Sequence, residues 1–108
     1  MAEQWSPRQL AEKIRRQDPD IILLDVREPG ERDLVAIEPS CHIPLDELPR
    51  RHRELPRSKT IVVYCHHGVR SSIVCGYLEA LGFPRVANLR GGIHAWSLEV
   101  DPTLPQYG

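Results

Sequence analysis

The sequence predicts an α/β fold, an open parallel sheet with helices on both faces. Three observations carry that expectation. Ile21 to Val26 and Thr60 to Tyr64 are apolar, largely β-branched runs of strand length, as expected for strands covered on both sides. The second run is followed by apolar residues at helical spacing instead of a hairpin turn. A third strand-like run, Arg85 to Leu89, comes after that helical stretch, and such alternation builds parallel sheets.

The elements follow in chain order. Ser6 and Pro7 form a helix start, Leu10, Ala11 and Ile14 supply its apolar stripe, and Asp18-Pro19 ends the segment. Ile21 to Val26 is a buried strand. Pro29-Gly30 reads as a turn, Glu31 to Val35 as a short helix, and Cys41 to Ile43 as a brief strand. Leu45 to Leu55 reads as short and helical. Thr60 to Tyr64 is a strand bounded by Pro56 and Lys59 before it and Gly68 after it. Ile73, Val74, Tyr77, Leu78 and Leu81 then recur at helical spacing, and Gly82 stands where the helix needs a left-handed cap. Arg85 to Leu89 is the last strand, Gly91-Gly92 permits a tight passage, and Ile93 to Leu98 forms a final short helix. The tail from Asp101 to Gly108 reads as linker-like. Trp5 and Trp96 read as core or edge packing.

Size and composition narrow the class of protein. The 108 residues suit one domain, 1–108, and 41% hydrophobic residues build a core without staples. A formal net charge of −1 provides no bulk attraction to nucleic acid or to a membrane, and a monomer is expected. Arg50, Arg51, Arg53 and Arg57 read as a solvated face. No signal peptide is visible and every apolar run is too short to span a bilayer, so a cytoplasmic location is expected. Three cysteines without a Cys-x-x-Cys pair argue against a disulfide framework and a structural zinc site. Cys41 and Cys75 read as small buried hydrophobes. Cys41, His42, Cys65 and His66 lack a recognisable ligand spacing, and no metal or cofactor is expected.

The chemistry concentrates in Cys65-His66-His67-Gly68-Val69-Arg70-Ser71. Cys65 falls at the carboxyl end of a buried strand, where open α/β sheets carry their sites. The loop leads into a helix amino terminus, whose inward N–H groups and dipole favour an anion at the centre. That anion is the thiolate of Cys65, the form in which a cysteine is a nucleophile. Arg70 is suited to hold an incoming oxyanion by two parallel hydrogen bonds. Gly68 supplies a backbone conformation that a side chain would obstruct, and Val69 is the loop's only bulky apolar residue. Two readings are open for Ser71, a cap on the helix or a donor to the thiolate. His66 and His67 also have two, charged groups at the entrance or solvated loop residues. Asp25 suits backbone hydrogen bonds beside its strand end, Arg27 suits pairing with Glu28, Glu31 or a loop carbonyl, and both read as structural support. His42 reads as a satisfied partner in a turn.

Four residues lie between Cys65 and Arg70; cysteine-dependent phosphatases have a longer loop, and the shorter ring suits sulfur. With that loop the chain resembles the single-domain rhodanese family of sulfurtransferases. Ile22 to Glu28 resembles the first signature of the family, His42-Ile43-Pro44-Leu45 its second turn, Val63 to Ser71 its active loop and Leu89 to Trp96 its closing signature. Val100 to Pro105 resembles the tail of rhodanese domains found alone or attached to enzymes of sulfur-carrier activation. The closing signature commonly carries an acidic residue where this chain has His94.

The resemblance implies a rhodanese-like fold and a sulfurtransferase without cofactor. Cys65 would take a sulfane sulfur from thiosulfate, a persulfide or a similar donor and pass it to cyanide, a small thiol or a protein thiol. Arg70, His66, His67, Gly68, Val69 and Ser71 would line the substrate site. Thioredoxin and sulfur-carrier proteins are acceptors by the same resemblance. Two other readings stay open, a phosphatase or arsenate reductase using the same cradle, and a binding module of this fold without turnover.

Overall fold

The computed structural model describes residues 2–108. Its elements are β1 (Glu3–Trp5), α1 (Pro7–Arg15), β2 (Ile21–Asp25), α2 (Pro29–Leu34), β3 (Cys41–His42), α3 (Leu48–Arg51, between two 3₁₀ turns), β4 (Thr60–Tyr64), α4 (Val69–Ala80), β5 (Val86–Leu89) and α5 (Gly92–Glu99). The five strands form one sheet in the order β1-β5-β4-β2-β3, every pair parallel.

Side chains alternate across the pleat, and that alternation builds two cores. Ile61, Val63 and Cys65 face the side covered by Leu48 of α3 and by Val74, Cys75 and Leu78 of α4. Val62 and Tyr64 face the other side, with Leu10 of α1 and Ile93 and Trp96 of α5. Sequence periodicity captures β2, β4, α4 and α5 within a residue or two, because in each case burial dictates the residue types.

One strand has no counterpart in the expected elements, and two expectations need correction. Glu3–Trp5 forms an edge strand paired with Ala87–Leu89, although its first two residues are exposed and carry no apolar signal. Pro29-Gly30 is the first turn of α2 and not a separate turn; the fixed φ of proline suits that position, and Glu31 reaches back to accept the Glu28 N–H at 3.1 Å. The tail is packed: Leu104 and Tyr107 lie against the second core.

The start of α1 is as expected. Ser6 Oγ accepts the Gln9 N–H at 3.2 Å while Gln9 Oε1 accepts the Ser6 N–H at 2.7 Å, a reciprocal cap. The basic stretch is partly neutralised, since Arg51 pairs with Glu47 and Glu54 and Arg57 covers the Phe83 ring. Among the described residues no helix is long and apolar enough to cross a membrane.

Candidate active site

Cys65 directly follows the last residue of β4, and α4 begins four residues later behind Gly68, whose φ of 103° is left-handed. The side chain of Cys65 is 1% exposed. Its Sγ accepts the N–H of Gly68 at 3.1 Å and that of Ser71 at 3.3 Å. The amino end of α4 therefore converges on the sulfur, as the apolar strand followed by a glycine-containing loop leads one to expect.

The thiol donates to Ser71 Oγ at 3.3 Å, and Ser71 Oγ in turn donates to Asn88 Oδ1 at 2.5 Å. Asn88 Nδ2 donates to Gln4 Oε1 at 3.1 Å and to the Gly68 carbonyl at 3.4 Å. Ser71 is fully buried and makes no helix cap; Gly68 occupies the capping position without a side chain to offer. Its hydroxyl instead accepts a hydrogen bond from the cysteine thiol and donates one to Asn88.

The carbonyl side of the loop is bound by α5. Ile93 N–H donates to the Cys65 carbonyl at 2.9 Å and His94 N–H to the His66 carbonyl at 3.0 Å. The approach is close enough that a Cβ on Gly92, where φ is 63°, would lie 2.5 Å from the Cys65 carbonyl oxygen. Only glycine fits there. One helix start thus holds the sulfur and another holds the backbone that carries it.

Arg70, the residue expected to hold an oxyanion, is itself paired with a carboxylate of the chain. Its Nη1 and Nη2 donate to the two carboxylate oxygens of Glu31 at 2.6 and 2.9 Å. Tyr107 Oη donates to Glu31 Oε2 at 2.6 Å and accepts from Arg27 Nη1 at 3.1 Å. The Arg70 hydrogen bonds hold the Glu31 carboxyl down at about 2, against the opposing effect of burial. Burial, together with the bond to Glu31, pushes the Tyr107 hydroxyl up to about 12. Two of five guanidinium N–H groups are engaged by Glu31, and three remain for other acceptors.

Asp25 and Arg27 are fully buried and are each other's main partner, a pairing not anticipated from sequence. Arg27 also donates to the Val35 carbonyl at 2.7 Å, and Asp25 also accepts from Tyr64 Oη at 3.0 Å and Arg32 Nη1 at 3.2 Å. Burial works to raise the Asp25 pKa, and the Arg27 and Arg32 hydrogen bonds outweigh it and hold the carboxyl below its ordinary range. His42 Nε2 lies 2.7 Å from the Arg27 carbonyl oxygen, so this histidine is a satisfied turn partner.

His66 is half-buried beneath Tyr107, the two rings stacked at 3.8 Å and 10°. It is not a solvated loop residue, and burial, then His67, push its pKa down. His67 is exposed, and Val69 is 70% exposed at the outer rim. Cys41 is half-buried on β3, less enclosed than expected, and Cys75 is buried in α4, where burial pushes its thiol up to about 12.

Sequence reasoning missed Glu31, Asn88 and Tyr107 as members of this site. A polar Asn88 inside an apolar strand was a usable signal, because a buried amide demands partners. An aromatic residue in an otherwise polar tail was another.

A family model described as "Rhodanese-like domain" matches residues 6–99. A protein of Allochromatium vinosum named "Sulfurtransferase" is 41% identical over 89 residues, which are 82% of this chain and 83% of that protein. "Thiosulfate sulfurtransferase GlpE" of Tolumonas auensis is 29% identical over 80 residues, 74% of this chain and 76% of that protein. Among solved structures, a rhodanese-related protein from Thermoplasma volcanium superposes with a TM-score of 0.81 at 34% identity, covering 91% of this chain and 93% of the other. With a parallel five-stranded sheet, a cysteine loop at the end of its central strand and a family match over most of its length, this chain belongs to the rhodanese-like domain family.

Proposed function

We propose that this chain, as one domain, is a sulfurtransferase that carries a sulfane sulfur on Cys65. One observation carries the reading: the Gly68 and Ser71 N–H groups both point at Sγ. Such donors favour a thiolate at Sγ, both before loading and when the sulfur has been passed on, and they need no reorganisation during turnover.

The transfer takes two steps. After its proton passes to solvent, the Cys65 thiolate attacks the outer sulfur of thiosulfate. A bond forms between Cys65 and that sulfur, the donor's sulfur–sulfur bond breaks, and its electron pair leaves on sulfite. An acceptor thiolate or cyanide then attacks the terminal sulfur of the persulfide. That sulfur–sulfur bond breaks, the electron pair returns to Cys65 as thiolate, and a persulfide or thiocyanate departs.

Thiosulfate is the donor class by likeness to the Tolumonas relative, whose name states that activity. Arg70 serves the donor oxyanion with the N–H groups that Glu31 leaves unused, and Glu31 fixes where the guanidinium sits. The acceptor class is a small thiol or the thiol of a carrier protein, in keeping with a relative named "Putative sulfur carrier protein YrkF".

The test is intact mass of the reduced protein after incubation with thiosulfate, with Cys65→Ser alongside. A gain of one sulfur in the wild type only, removed by cyanide, is the expected result. No gain, accompanied by turnover of an aryl phosphate, would replace this reading with the phosphatase one.

A further inference from the structure

We propose that His66, His67 and His94 form a binding site for a borderline divalent cation of the Zn2+ or Co2+ kind, at the rim of the cysteine loop. The fold brings the three imidazoles together from two elements, the loop after β4 and the first turns of α5. One nitrogen from each ring lies within 4.8 Å of the other two. Among the described residues no other group of three such side chains converges in this way.

Two of the three rings carry a nitrogen that the protein leaves unmatched. His66 Nε2 and His94 Nδ1 are buried and have no hydrogen-bond partner. A buried lone pair without a donor is costly, and buried polar atoms in folded proteins are nearly always matched. A cation ligated through those two nitrogens would satisfy both at once.

Placement of the rings is prepared before any ion arrives. The His94 N–H is bonded to the His66 carbonyl at 3.0 Å, which fixes the two backbones relative to one another. The Tyr107 ring stacks on His66 at 3.8 Å and limits its rotation. His67 is exposed and its ring centroid lies 3.9 Å from that of His66 and 4.8 Å from that of His94. It is the ring free to swing the last ångström, since tetrahedral ligation at ~2.0–2.1 Å draws ligand nitrogens to about 3.4 Å apart.

The donor set selects the ion class. Three imidazole nitrogens without a carboxylate suit Zn2+, Co2+, Ni2+ or Cu2+ and disfavour Mg2+ and Ca2+. Three protein ligands also leave a fourth position open to water or an anion.

Cys65 is itself a soft ligand in the same loop, so the experiment uses tag-free Cys65→Ser protein. Co2+ is titrated while the visible d–d band is recorded, and Zn2+ uptake is measured by calorimetry. One ion per chain is expected, with affinity falling at least about tenfold in His67→Ala and in His94→Gln, and unchanged in His52→Ala. His67 is at the surface, so its loss leaves folding intact and keeps the test decisive if His94→Gln is unstable. Absence of uptake, or equal affinity in His67→Ala, overturns the site. Because binding is read directly in a protein that lacks the nucleophile, the outcome is independent of the sulfur-transfer reading.

Discussion

Arg27 and Asp25 lie two residues apart at the end of β2, both withdrawn from water, and are joined by Nε–Oδ1 and Nη2–Oδ2 hydrogen bonds of 2.9 and 2.7 Å. Removing one member of such a pair leaves the other charge buried with too few partners. Arg27→Met should therefore cost about 3–5 kcal/mol, read as a lowered urea midpoint. A midpoint within experimental error of the wild type would mean that Arg32 and Tyr64 alone satisfy Asp25.

Glu31 supplies a pH signature. Its folded value of about 2 lies below the ordinary 4.5, so between these values the unfolded chain binds more protons than the folded one. The stabilisation is complete above about pH 5 and is lost as pH falls toward 2. Glu31→Gln should be less stable near neutrality by on the order of 1–2 kcal/mol, a figure discounted for the partly exposed Arg70. The gap between the two proteins should close on acidification, as followed by thermal melts across that range. A gap independent of pH would show that the loss comes from packing and not from the carboxylate charge.

Asn88 holds both Ser71 and the Gly68 carbonyl, and through them the two residues whose N–H groups meet the sulfur. Asn88→Ala should destabilise by about 1–3 kcal/mol, since it orphans a buried hydroxyl, and should slow loading of sulfur onto Cys65. Stopped-time mass measurements give the loading rate. An unchanged rate with the expected stability loss would confine Asn88 to a structural role.

Gly92→Ala should be among the more damaging small substitutions in the chain. The added methyl meets the Cys65 and His66 carbonyls and a left-handed φ together. A loss of about 1–3 kcal/mol is expected, with reduced transfer, because relief comes only by moving the loop off α5. Gly30→Ala is the control, since a Cβ there meets nothing within 4 Å.

Cys75 should resist alkylation in the native protein at neutral pH, because its thiol is buried and titrates near 12. Cys75→Ala should leave transfer intact. A slowed second step in that variant would reveal a resolving thiol, which the burial of Cys75 argues against.

How far the chain could be read from its residues varies with how local the determinants are. β4, the loop and α4 are legible because a β-branched run, a glycine and a helical stripe follow one another within about twenty residues. Cys65 stands out for the same reason. β1 is not legible, since two of its three residues are exposed and its strand character comes from a partner at the other end of the chain. The engagement of Arg70 by Glu31 is likewise invisible, as the two are 39 positions apart and meet only when α2 is set over the loop. Tyr107 was hidden by its setting in a proline-rich tail that looked like a tether. Where tertiary placement alone decides the partner, residue types say that a group needs one and not which it is.

The edge of the sheet reaches the sulfur. Gln4, Asn88, Ser71 and Cys65 are linked in series by side-chain hydrogen bonds, from the outermost strand to the nucleophile. Anything that loosens β1 from β5, whether trimming of the first residues or another chain competing for that strand, acts on Cys65 from a distance. Reactivity of the thiol would then report the state of the amino terminus, with every residue of the loop left in place.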